Sequence, residues 1–446
     1  MHYWTRIIGK ELINWLDLLI VTTYTYQNST RLWFYHRYAI FSGIERQFKE
    51  IEAKCYRQVQ VQVQVLDIVY QMDCFAANPR YILTKHSHFE SEDVLMKPNI
   101  IYYQVMNDGV YFIQLDKDYN PYDTTKNSFM QHSLTSKARR VYRMPTANFI
   151  RFGCDLQDKP ITWLFHSTRC GSTLWAQIFN NVPNWVTLSE PPLLNYMFIL
   201  NARRIYIPEF VETDFYYKLV EAVVKTSVKH FNGKDGIFWK TTLMDDPIVP
   251  VLRKVFPKHK LILATRNVSP SAQSFARAFG PGFYRSTVIL SWNPVFNWGS
   301  ASEMLLYFTN GMLTPRIQSI LCDVKPQNLL EWTVVFWSIK LRMLQREAAM
   351  FHVRYEDLVS DSQGTLTRIF NHLSIPVKHI EVAAEALQRD SQQASLFGKE
   401  IRSKHTPWKR TEKSVARCNR ILESFGLPGF DEEYVYKCRD WNCKDF

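Results

Sequence analysis

Ile161-Thr162-Trp163-Leu164-Phe165-His166-Ser167-Thr168-Arg169-Cys170-Gly171-Ser172-Thr173 is the stretch that decides the fold. Ile161 to His166 is a short apolar run of the length expected for a strand buried on both faces. A turn follows, and a helical segment runs from Ser172 to Asn181. Gly171 lets the backbone turn tightly, and Ser172 and Thr173 are capping residues. The free N–H groups of a first helical turn point at whatever sits in such a loop, which makes it an anion site. Arg169 adds a fixed charge that can pair with phosphate through two hydrogen bonds. A nucleotide triphosphatase loop would read G-x-x-x-x-G-K-[ST]. Here His166 stands at the first glycine and no lysine follows Gly171, so the turn grips a phosphate without the ATP signature. Taken alone, the same letters also fit an ordinary capped helix after a strand.

Four further runs read as strands: Trp185 to Leu188, Ile237 to Thr241, Lys260 to Thr265 and Phe351 to Tyr355. They alternate with helical segments, which predicts an α/β protein with a parallel sheet flanked by helices from about residue 158 onward. Arg169, Glu190, Lys240 and Arg266 each fall at the carboxyl end of one of these strands. Ligands of open parallel sheets bind in the crevice outside those ends. The four groups are therefore expected to meet in one basic site holding a single acid, suited to a doubly phosphorylated nucleotide. Ser274 lies eight residues after Arg266, just over one turn into a helix expected to start near Pro270, so both can reach one anion. Each element read singly has a plainer alternative: a loop arginine, a helical serine, an acid before a proline turn, a lysine snorkelling from a strand end.

Composition sets the frame. The 446 residues are 46% hydrophobic, enough for one large core or two moderate ones. With 54 Lys plus Arg against 42 Asp plus Glu, the formal charge is +12, which favours anionic partners. Eight of those cations crowd between Lys399 and Arg420, beside only Glu400 and Glu412. The eight cysteines form no CxxC pair of zinc spacing; Cys438 and Cys443 can close a small loop or stay as separate thiols. Leu12 to Thr22 is apolar but broken by Asp17 and short of the ~20 residues that span a bilayer, so it reads as a buried helix. The absence of a convincing span favours the cytoplasm over the Golgi. Asn28-Ser29-Thr30 is a glycosylation sequon of the kind that arises often by chance.

Residues 1 to about 155 have another texture. Gln58 to Val65 alternates Gln and Val, the pattern of a half-buried strand. Ile100 to Tyr103 and Val110 to Leu115 read as strands joined by the hairpin turn Asn107-Asp108-Gly109. A β-rich or α+β unit is expected here, and its residues suggest no chemistry.

Taken in order, these segments resemble the PAPS-dependent sulfotransferase family (PAPS is 3′-phosphoadenosine 5′-phosphosulfate). Arg169-Cys170-Gly171-Ser172-Thr173 resembles its phosphosulfate loop, [KR]-[SC]-G-[ST]-[ST]. The strand Lys260 to Thr265, Arg266 and Ser274 resemble its 3′-phosphate site. Val353-Arg354-Tyr355-Glu356-Asp357-Leu358 is similar to its R-Y-E-D-L segment, preceded by the apolar helix Trp332 to Leu344. Trp408 to Leu427 is similar to its terminal helix, after a last nucleotide-binding loop that would include Arg402 and Lys404. The resemblance covers residues 160 to about 430, implying a P-loop-like sulfotransferase domain over 158–430 between an N-terminal region, 1–155, and a tail, 431–446. The arginine at 169 is closer to the tyrosylprotein and carbohydrate branches than to the cytosolic small-molecule branch. The cytosolic branch has a histidine base two residues after its strand-end lysine, where this chain has Thr242. The resemblance thus implies PAPS as co-substrate, no metal, Arg169 and Lys240 on the transferring group, and Glu190 as the base for an unspecified hydroxyl or amine acceptor. Nucleic acid is not an expected partner. A nucleotide kinase, or a non-catalytic nucleotide or polyanion binder, is the alternative.

Overall fold

The computed structural model describes residues 46–47, 49–50, 61–71, 77, 79, 82–106, 108–192, 214–242, 245–278, 315–345, 350–393, 398 and 410–435. The apolar run at 12–22, the sequon, residues 58–60, Asn107, Arg402, Lys404, Trp408, Cys438 and Cys443 lie outside them.

Two five-stranded sheets organise the chain. The first, in spatial order β2-β1-β5-β4-β3, is antiparallel throughout. Its strands are β1 (Gln62–Gln71), β2 (Ile82–Ser91), β3 (Ile100–Met106), β4 (Gly109–Gln114) and β5 (Arg140–Met144). The expected hairpin is present, with Met106 opposite Gly109. The Gln-Val alternation is half-exposed where it begins, with Gln62 exposed between buried Val61 and Val63, and fails at Gln64. Val63, Gln64, Val65 and Leu66 are all buried, because both faces of β1 are covered and the register shifts between Val65 and Leu66. Gln64 stays inside by accepting from Arg143 Nη1 (3.4 Å) and bonding His86 Nδ1 (3.2 Å).

The second sheet is parallel in every pairing, in order β10-β9-β6-β8-β7. It comprises β6 (Ile161–His166), β7 (Trp185–Ser189), β8 (Gly236–Lys240), β9 (Lys260–Thr265) and β10 (Phe351–Arg354). All five runs expected to be strands are strands, each within a residue or so of its expected bounds. Every residue of β6 and β8 is buried, which is why they read as unbroken apolar runs. The chain leaves β6 toward the β7 side, then crosses back to place β9 on the other side of β6. That reversal makes the carboxyl end of β6 the switch point where an open sheet binds ligands.

Helices α1 (Met130–Lys137), α2 (Thr146–Cys154), α3 (Ser172–Asn180), α4 (Asp214–Ser227), α5 (268–278), α6 (Leu329–Gln345), α7 (Tyr355–Ser360) and α8 (Glu412–Ser424) cover the sheets. One core runs through both halves, uniting Val63, Tyr102, Phe112 and Phe149 with Trp163, Trp239 and Leu263. Helices α2 and α4 meet in it so closely that a Cβ on Gly153 would stand 2.5 Å from the Ala222 Cβ. The outer faces have their own clusters, around Trp175, Phe179 and Phe238 on the parallel sheet and Tyr103 and Leu134 on the antiparallel one. Among the described residues no helix is long and apolar enough to cross a membrane.

Candidate active site

The loop after β6 is shaped by two left-handed residues, Arg169 (φ 54°) and Gly171 (φ 81°). Gly171 is required twice over: its φ suits glycine, and a Cβ there would lie 2.6 Å from the Tyr355 ring. Gly171 is itself the N-cap of α3 and makes no side-chain cap bond. The expectation that Ser172 and Thr173 cap the helix is therefore corrected. Both are buried, and Thr173 is spent on another partner, accepting from Lys240 Nζ at 3.2 Å. The first-turn N–H groups, which have no partner one turn back, are left facing the loop.

Lys240, at the end of β8, is completely buried rather than snorkelling to solvent. Its Nζ donates to Glu190 Oε1 at 2.6 Å and sits 4.5 Å from the centroid of the Phe129 ring. Burial pulls the Lys240 ammonium below the usual lysine range, and the Glu190 carboxylate works against that pull. Glu190 follows β7 in a left-handed conformation (φ 52°), held by its N–H on the Lys240 carbonyl (3.0 Å) and by the Gln131 N–H on its own carbonyl (3.3 Å).

On the β9 side, Arg169 Nε donates to Ser274 Oγ (3.2 Å) and Nη2 to Gln392 Oε1 (2.9 Å). Arg266 Nη1 donates to the Arg169 carbonyl (3.3 Å), and its guanidinium lies 4.4 Å from the Tyr355 ring centroid. Its buried Nε has no hydrogen-bond partner among the described residues. A buried guanidinium donor without an acceptor, beside a second arginine and a helix N-terminus, fits an anion of more than one charge. Helix α5 begins at residue 268, two residues before the expected start, and still puts Ser274 on the loop. Ser271 Oγ ties the same helix to the Thr168 carbonyl.

Arg169, Thr173, Glu190, Lys240, Arg266 and Ser274 thus come together at one end of the parallel sheet. His166 does not lie at the mouth of the loop. It is buried, with Nε2 against the Thr241 carbonyl (3.0 Å) and Nδ1 against the Ser167 carbonyl (3.2 Å). Burial and the nearby Lys340 and Lys240 charges lower its pKa to about 4, so it is a poor proton acceptor. The Cys170 thiol is buried and pushed up to about 11, hence unreactive. Among the described residues no group of three His, Cys, Asp or Glu side chains is placed to hold a metal ion.

Several contributors had no signal as isolated letters. Phe129 comes from the antiparallel half, and Gln392 from a loop 223 residues away from Arg169. Tyr355 and Glu356 belong to the R-Y-E-D-L-like segment, and the structure explains that segment locally. Tyr355 packs on Arg266 and Gly171, while Glu356 Oε1 accepts from the Asn267 N–H at 3.0 Å, fixing the residue after Arg266.

No family model and no curated protein matches this chain. Several solved structures resemble it loosely, three sulfotransferases among them. The sulfotransferase domain from the curacin biosynthetic pathway is 13% identical, with a TM-score of 0.32 over 61% of this chain and 99% of that one. Mouse sulfotransferase SULT7A1 complexed with PAP is 13% identical, with a TM-score of 0.30 over 62% and 87%. Sulfotransferase STF9 from Mycobacterium avium is 12% identical, with a TM-score of 0.33 over 65% and 83%. Superpositions this loose place neither a donor nor an acceptor on this chain.

Proposed function

We propose that this protein moves a sulfuryl group from PAPS to a hydroxyl or amine acceptor, in the manner of the arginine-loop sulfotransferases. One observation carries the reading: two arginines, a buried lysine and a helix N-terminus converge with one carboxylate at the switch point of a parallel sheet. Arg266 and Ser274 bind the 3′-phosphate, and Arg266 Nε, buried without an acceptor among the described residues, is the donor for it. Arg169 and the N–H groups from Gly171 to Thr173 hold the 5′-phosphosulfate. Arg402 and Lys404 are assigned to the nucleotide as well.

Transfer forms a bond from the acceptor oxygen or nitrogen to sulfur and breaks the bond from sulfur to the phosphate oxygen. The acceptor's proton passes to Glu190, and negative charge collects on the leaving phosphate. Arg169 and the loop N–H groups stabilise that charge. Lys240 donates to the bridging oxygen. Lys240 Nζ is tied to Glu190 Oε1 at 2.6 Å, so the carboxylate is released to the acceptor's proton as Lys240 turns toward the bridging oxygen.

The test is incubation with ³⁵S-labelled PAPS and acceptors from the phenol, sugar, peptidyl-tyrosine and amine classes. Label transferred to one class upholds the reading. Binding of ATP with Mg²⁺ in preference to PAPS, with no label moved, would overturn it.

A further inference from the structure

We propose that Phe129 is a positioning residue for Lys240, so that the antiparallel half of the molecule supplies part of the catalytic centre. The proposal rests on the reading of Lys240 as the cation that acts on the leaving group. Lys240 Nζ has oxygen partners on Glu190 and Thr173, and the Phe129 ring centroid lies 4.5 Å away. An aromatic face carries negative potential and attracts a cation within about 6 Å, most strongly where water is excluded. Both groups are buried here, so the ring takes the place of the water that an ammonium would otherwise hold.

Phe129 does not sit there by loose packing. The residues around it are clamped to the end of β7: Ser189 Oγ donates to the Ser128 carbonyl (2.6 Å), and the Gln131 N–H to the Glu190 carbonyl (3.3 Å). Ser128 Oγ also donates to the Ser391 carbonyl (3.3 Å), which accepts from Gln177 Nε2 on α3 as well (3.1 Å). Four stretches distant in sequence, around residues 128, 177, 189 and 391, lock the ring in place over the ammonium. The same clamp holds the Glu190 backbone, left-handed at φ 52°, so ring and carboxylate are both set against one ammonium.

The ring's electrostatic part separates from its packing part by experiment. Replacing Phe129 with mono-, di- and trifluorophenylalanine drains the ring face of negative potential with little change of shape. The readout is the Lys240 pKa, followed by ¹³Cε resonance in deuterated protein and assigned with Lys240→Met. Glu190 beside the ammonium, Arg169 and Cys170 in the loop and His166 on β6 are the titratable or charged neighbours, and none is altered in the series. The pKa is expected to fall with each fluorine, by about one unit in all, a tenfold loss of proton affinity. Phe129→Leu should match the trifluoro ring and Phe129→Trp should restore the wild-type value. A Lys240 titration indifferent to the fluorine count, while Glu190→Gln moves it, would overturn the proposal. The measurement needs no substrate. A titration that follows the series with no sulfuryl transfer detected upholds the positioning and removes only the proposed reaction.

Discussion

In the parallel sheet every strand points the same way, so the ends of β6, β7, β8 and β9 open on one edge and their charged residues meet there. In the antiparallel sheet neighbouring strands alternate in direction, and no edge collects the ends of all five. The antiparallel sheet therefore gathers no comparable set of strand-end charges among the described residues. Its contribution reaches the parallel sheet through a connection: the segment 115–139, between β4 and β5, crosses to the parallel edge and delivers Phe129. The lesson is that strand direction decides which half holds the polar groups, while packing decides which half holds them still.

The largest effect that would break this division of labour is expected at the parallel edge. Glu190→Gln should lower kcat by about 10²–10⁴-fold, on the order of 3–5 kcal/mol of barrier. Calorimetric affinity for 3′,5′-ADP should stay within a few-fold. Full kcat at saturating substrate would place the base elsewhere, and the buried His166, with both ring nitrogens on carbonyls, is not a ready replacement.

Next comes Arg266→Ala. Wild-type protein should bind 3′,5′-ADP more tightly than 5′-AMP, and the substitution should erase about 1.5–3 kcal/mol of that difference, the worth of a charged hydrogen bond. Equal binding of the two nucleotides by wild type would remove Arg266 and Ser274 from the 3′-phosphate site.

The seam between the halves is tested by Gly153→Val. With Ala222 2.5 Å from the added Cβ, α2 and α4 must separate, which should cost about 1–3 kcal/mol and lower the thermal midpoint by a few degrees. Because one core serves both sheets, a single transition should be retained by near- and far-ultraviolet dichroism. Two separate transitions would show that the halves fold independently.

The smallest effect concerns Lys229, whose Nζ crosses the seam to the Ile100 carbonyl at 2.9 Å. Burial lowers its pKa from 10.5 to about 7. Between those values the unfolded chain keeps a proton that the folded one has lost, so stability rises with pH from about 7 upward; below 7 the cost of the buried charge is fully present. Lys229→Met should abolish that rise, worth at most about 2 kcal/mol between pH 7 and 9. Identical slopes of urea midpoint against pH in both proteins would refute it.

Much of the parallel half was legible because its strands are buried on both faces and leave an apolar signature. The antiparallel half was legible at the hairpin, where turn chemistry is local, and misleading at Gln64, where an alternating pattern implied an exposed face. A glutamine is polar whether water or Arg143 and His86 satisfy it, and only the fold chooses. The capping role expected of Thr173 failed for the same reason. Its hydroxyl is equally able to serve a helix end or Lys240, and the position of β8 selected the lysine.

The sequence by itself determined the run of parallel strands, the tight turn at Gly171 and the placing of Arg169, Glu190, Lys240 and Arg266 at strand ends. These follow from burial, backbone sterics and chain direction, all of which act over a few residues. Tertiary structure alone decided which partners those charges have. Lys240 meets Glu190 and Phe129 across separations of 50 and 111 residues, and Arg169 meets Ser274 and Gln392 across 105 and 223. Buried charges take whatever acceptor or ring the packed chain brings within a few ångströms, and no local pattern encodes that choice.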